Sequence, residues 1–125
     1  MSRPLTEQEL HNLAMNIVGR DLESQGYEFI AVNSKLKKHP QFVCIDKKNV
    51  RYFVIVQVGK IRKTPATYDV IWMETMKNHA RKQKAKVLFA NVGLSAKNDN
   101  SKPPLLNEDY LLQYEGLKHL DIEMN

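Results

Sequence analysis

The chain has 125 residues, 42% of them hydrophobic, and a formal net charge of +5 at neutral pH. That length suffices for one core without disulfides or metal, and a single cysteine, Cys44, excludes a disulfide framework and a cysteine-based metal cluster. No apolar run approaches the roughly 20 residues of a bilayer span, and Met1-Ser2-Arg3-Pro4-Leu5-Thr6 holds no apolar signal core, so cytoplasm is the expected compartment and no membrane partner is expected.

Leu5-Thr6-Glu7-Gln8-Glu9-Leu10 opens a first helix. Thr6 can accept from the amide three residues on, Glu9 can reach back to the Thr6 amide, and Leu5 and Leu10 can staple across the cap. Leu10, Leu13, Ala14, Ile17, Val18 and Leu22 recur at helical spacing, and Gly26 offers a left-handed stop, so the helix is expected over 7–25. Strands are expected over 27–32, 41–46 and 50–58, with the polar turn Asp46-Lys47-Lys48-Asn49 between the last two. Val54-Ile55-Val56 is apolar without alternation, the pattern of a strand covered on both faces. Cys44, inside such a run, reads as a buried, inert thiol.

After the basic loop 59–67, a second helix is expected from Tyr68 or Asp69 to about Ala85, with Trp72, Met76, Ala80 and His79 inward and Lys77, Arg81, Lys82 and Lys84 outward. A strand follows over 86–94, then a polar loop over 95–104 ending in Pro-Pro. Asn107 is expected to cap a short helix over 108–114 that Gly116 stops, and 117–123 is a candidate edge strand. The whole chain, 1–125, thus reads as one α/β domain, more closely an α+β mixed sheet. Its αβββαβ core combines a three-strand meander with a crossover helix and carries a C-terminal helical appendage.

Charge is segregated along the chain. Residues 31–97 carry fifteen Lys or Arg against Asp46, Asp69 and Glu74, a net of +12; the remainder carries four against eleven, a net of −7. A face with a positive field of its own favours phosphate backbones.

Glu9, Ala14, Leu22, Gly26-Tyr27, Ile30, Asn33, Pro40-Gln41-Phe42-Val43 and Phe53-Val54-Ile55-Val56-Gln57-Val58-Gly59-Lys60, within residues 5–94, form a pattern together with the element order. That pattern resembles the PD-(D/E)xK superfamily, the restriction-endonuclease-like fold, and is most similar to its Holliday-junction-resolvase-like branch. The resemblance implies a metal-binding Asp at the start of the second strand and a Glu-x-Lys at the end of the third. The carboxylates would hold Mg²⁺ and the lysine would stabilise charge on the scissile phosphate. Here Gln41 stands for the Asp, Gln57 for the Glu and Gly59 for the Lys, with Lys60 one residue late and on the opposite face of a regular strand. Amides offer Mg²⁺ a dipole where carboxylates offer a full charge, so neither a catalytic residue nor a metal site is expected.

Glu9 could be the helix carboxylate of that family, but the capping box accounts for it. Asp46 could supply a relocated ligand for Mg²⁺, yet five positions after Gln41 it reads as a turn residue; Asp69 and Glu74 are weaker substitutes. His11, His39, His79 and His119 show no zinc spacing. Three functions remain open. One is a non-catalytic domain that binds nucleic acid, DNA before RNA, through Lys35, Lys37, Lys38, Lys60, Arg62, Lys63, Lys77, Arg81, Lys82 and Lys84. Another is a protein-interaction or regulatory module that meets an acidic protein partner or a second copy of itself. The last is a Mg²⁺-dependent nuclease with relocated site residues. Tyr52, Tyr68 and Trp72 read as core or rim in all three.

Overall fold

The computed structural model describes residues 3–120. Its elements are α1 (Glu7–Ser24), β1 (Glu28–Val32), β2 (Phe42–Ile45), β3 (Arg51–Gly59), α2 (Val70–Lys82), β4 (Ala85–Ala96) and β5 (Tyr110–His119). The five strands form one sheet in the order β1-β2-β3-β4-β5. β1, β2 and β3 make the antiparallel meander, β4 lies parallel to β3, and β5 returns antiparallel to β4. The αβββαβ order and the mixed sheet are as the sequence leads one to expect. Antiparallel neighbours need only short turns, whereas the parallel β3–β4 pair requires the α2 crossover.

The helices cover opposite faces, and β3 explains why. Tyr52, Val54 and Val56 pack with Ala14, Met15, Val18 and Leu22 of α1; Phe53 and Ile55 pack with Met73 and Ala80 of α2. Period-two alternation sends neighbouring side chains to the two layers, so a strand buried on both sides reads as an unbroken apolar run. Cys44 is fully buried on the α1 side, and burial pushes its thiol up to about 11.

The start of α1 is the reciprocal cap expected of it. Thr6 Oγ1 accepts from the Glu9 amide at 3.2 Å and the Glu9 carboxylate accepts from the Thr6 amide at 2.9 Å. Its end is a Schellman motif: Tyr27 N–H donates to Leu22 O and Gly26 N–H to Glu23 O, with Gly26 at φ +89°.

Three expectations are corrected. The helical appendage over 108–114 is instead β5, and Asn107 does not cap it: its φ of +63° is left-handed, whereas an N-cap is extended. Local capping signals lost to β4, whose edge is paired by β5 from Leu88 to Ala96. Gly116, at φ +87°, sits in a bulge of β5 rather than at a helix stop. The candidate edge strand is realised only through His119 as part of β5, and 121–123 lie outside the described residues. Next, α2 stops at Lys82: Lys84 takes φ +56° and Ala85 is the buried first residue of β4. Finally, Trp72, Met76 and Ala80 face the core as expected and Met73 joins them as a buried anchor of α2, but His79 lies exposed at the rim beside Phe53.

Candidate functional site

Gln41 is fully buried and wholly engaged by protein. Its Oε1 accepts from Val56 N–H at 2.7 Å, and its Nε2 donates to Lys38 O at 3.0 Å and approaches His39 Nδ1 at 2.7 Å. The amide therefore extends the β2–β3 ladder past the last paired residues and fastens the lysine loop to it. Asn33 and Gln8 hold the other side of that loop: Asn33 N–H donates to Gln41 O, and Gln8 Nε2 donates to Ser34 O at 2.8 Å. An amide suits this place because one end must accept and the other donate; a carboxylate would turn oxygen on oxygen at Lys38.

Gln57 has separate partners. Its Nε2 donates to Thr67 O at 2.8 Å and to Asn91 Oδ1 at 3.0 Å, tying the β3–α2 loop to β4. The two glutamines thus lie near one end of the sheet but share no hydrogen-bond partner. Lys60 follows β3 on the α1 side, where it lines a cavity with Val56, Val58 and Gly59.

The carboxylates have structural partners of their own. Asp46 accepts from Lys48 N–H and Val50 N–H at 2.9 Å each and from Tyr52 OH at 3.2 Å, and these hydrogen bonds hold its carboxyl below the usual range. It organises the β2–β3 turn at the end of β2 away from Gln41. Arg3 binds Glu9 through both oxygens at 2.7 and 3.0 Å and, with the Thr6 amide, holds it down to about 2. Asp69 caps α2 through Trp72 N–H, and Glu74 pairs with Lys77 at 3.4 Å. Among the described residues no group of three or more His, Cys, Asp or Glu is placed to hold a metal ion.

Nine of the ten basic residues separate into two groups. Lys35, Lys37, Lys38, Lys60, Arg62 and Lys63 surround the C-terminal end of β3, all exposed, and none forms an ion pair among the described residues. Arg81, Lys82 and Lys84 lie at the opposite end, where Arg51 reaches Gln83 O and pairs with Ala85. Nine-residue β3 separates the groups by about 26 Å at 3.3 Å per residue. Lys77, mid-helix, is half-buried against Glu74 rather than free on the outer face. Layering adds contrast: α1 holds Glu7, Glu9, Asp21 and Glu23 against Arg20, a net of −3, while α2 holds Lys77, Arg81 and Lys82 against Glu74, a net of +2.

The basic loop after β3 is tied to β4 and β5 at Ile61 and Arg62. Gln113 of β5 brackets Arg62, accepting from its N–H at 2.9 Å and donating to its carbonyl at 2.8 Å, while Ser95 Oγ accepts from Ile61 N–H. Gly93 allows this approach, since a Cβ there would stand 3.2 Å from Gln113 Oε1. Neither Gln113 nor Ser95 carries a sequence signal for this role; both act across long separations.

Beside the same end lies a cavity of about 310 Å³. Leu10, Val56, Val58 and Leu94 give it apolar walls, while Glu7, Lys37, Lys60 and two histidines, His11 and His39, supply polar groups. His11 is only 6% exposed and its Nε2 has no hydrogen-bond partner. Burial, then the neighbouring His39, lowers its pKa, against a smaller opposing effect of Glu7. His11 was detectable in sequence only by its phase, four before Met15 and seven before Val18 on the buried stripe of α1.

Two helices on opposite faces of a mixed five-stranded sheet, with a cationic end and an adjoining cavity, define a mixed α/β protein. The chain belongs to the family described as a domain of unknown function, DUF8840, whose model matches residues 8–120, from the first turn of α1 through all five strands. No curated protein matches the chain. No helix among the described residues is long and apolar enough to cross a membrane.

Proposed function

We propose that this chain is a non-catalytic PD-(D/E)xK-like, restriction-endonuclease-like domain that holds nucleic acid by its phosphates. The observation that carries the reading is the group of six exposed, unpaired cations at the C-terminal end of β3, on two loops pinned by Gln41 and Gln113. Cations without an ion-pair partner give up mainly water and counterions when a phosphate arrives, and a pinned loop loses little entropy. The αβββαβ order supports the comparison with that superfamily, and the hydrogen-bonded amides of Gln41 and Gln57 support the absence of its chemistry.

Six phosphate contacts correspond to a slope of log K against log salt of about −5 on duplex DNA. Fluorescence anisotropy with duplex, branched and single-stranded DNA and with RNA measures it. Changing Lys35, Lys37 and Lys38 together to Gln should flatten the slope by about 3. Salt-independent binding, or none to any of these probes, overturns the proposal. Cleavage with Mg²⁺ that disappears in Asp46→Ala would favour the relocated nuclease.

β1 favours a second reading, a protein-interaction or regulatory module. This edge strand is exposed at all five positions, with Ile30 at 52% and Val32 at 57%. A mass by light scattering that rises with concentration, without nucleic-acid binding, would select it.

A further inference from the structure

We infer that the cavity between α1 and the C-terminal end of β3 is a binding site for a small organic monoanion, an apolar body bearing one carboxylate, which would hydrogen-bond to His11. Size, lining and charge agree on this class. A volume of about 310 Å³ stands at the small end of the roughly 300–1,000 Å³ typical of ligand pockets. Aliphatic walls of Leu10, Val56, Val58 and Leu94 match a hydrocarbon body. Lys37 and Lys60 against Glu7 leave one net positive charge, which complements a single negative charge better than a dianion.

His11 is the specific element. Its Nε2 is enclosed and without a partner, a cost that a ligand carboxylate recovers once the ring turns that atom toward the cavity. Burial keeps the ring neutral by lowering its pKa, so it hydrogen-bonds as an imidazole and leaves the charge pairing to the lysines. Aliphatic residues at these walls would have completed the core without a histidine. The cavity shares Lys37 and Lys60 with the nucleic-acid reading but not His11 or its aliphatic walls, so substitutions at His11 and Val58 test it separately.

The test is an NMR titration of the ¹⁵N-labelled full chain with hexanoate and benzoate. 1-Hexanol, benzyl alcohol and inorganic phosphate serve as comparisons. The expected result is saturable shifts of the His11 ring and the Val58 and Gly59 amides with both carboxylates, and binding of the alcohols and of phosphate weaker by about tenfold or more. His11→Phe should weaken hexanoate by about tenfold while the chain remains folded and its nucleic-acid binding is unchanged. Val58→Phe, which fills the cavity from one wall, should abolish the shifts. Equal affinity for alcohol and carboxylate, shifts confined to the outer lysines, no saturation, or undiminished hexanoate binding in folded His11→Phe would each overturn the inference.

Discussion

Replacing Gln41 by Leu tests whether a buried amide, rather than a metal ligand, is what this position requires. Leu nearly matches Gln in size but leaves Val56 N–H without its 2.7 Å acceptor inside the protein. Lys38 O and His39, the partners at the other end, belong to exposed residues and can turn to water. The cost is therefore mainly that of one unmet buried N–H, about 1–3 kcal/mol. For a chain of this size that lowers the thermal midpoint by about 4–11 °C. Gln57→Leu is the control: its partners, Thr67 O and Asn91, lie where solvent reaches, so a loss below about 1 kcal/mol is expected. Hydrogen exchange of the Val56 amide adds a local measurement and should accelerate in Gln41→Leu beyond the global change. A midpoint within about 1 °C of the parent, or equal losses in both variants, would refute the reasoning.

His11→Phe should stabilise the unliganded chain by about 1–3 kcal/mol, since it removes a buried Nε2 that lacks a partner. The gain should also depend on pH. Burial lowers the His11 pKa in the folded chain, so below about 6.5 the unfolded chain takes up a proton first and parental stability falls. The difference in thermal midpoint between variant and parent should be larger at pH 5 than at pH 8. Glu9 works on the acid limb: its depressed pKa gives stability that is complete above the ordinary carboxylate range and is lost as pH falls through about 2. Glu9→Gln should flatten the acid unfolding curve followed by circular dichroism. Gly93→Ala puts a methyl 3.2 Å from Gln113 Oε1; it should cost about 1–2 kcal/mol and speed exchange of the Arg62 amide, which Gln113 now holds.

Where the physics is local, the sequence was readable. Thr6 and Glu9 lie three residues apart and cap each other, Gly26 ends α1 in a left-handed conformation that glycine adopts at little cost, and Val54-Ile55-Val56 announces a strand covered on both sides. What was illegible depends on partners far along the chain. Gln41 is explained by Val56, fifteen residues on, and Arg62 by Gln113, fifty-one residues on. Tyr110 to Tyr114 carried short-range helix signals, but the open side of β4 decided their conformation. The basic residues were identifiable as types, yet only the β3–α2–β4 crossover assigns Lys60 and Lys82 to opposite ends.

Among the described residues, β1 and β5 are the two open margins of the sheet. Both present apolar side chains at their margins, Ile30 and Val32 on one and Tyr110 and Leu112 on the other. Two copies joined β1 to β1 would make a finite, self-limiting couple. A β1-to-β5 join would leave a free margin at each end, so molecules could add without limit into a filament. The irregularity between Phe29 and Ala31 twists the β1 margin and works against a flat join. Mutual repulsion from the +5 charge is the other safeguard, and it fades as the ionic strength of a concentrated solution rises.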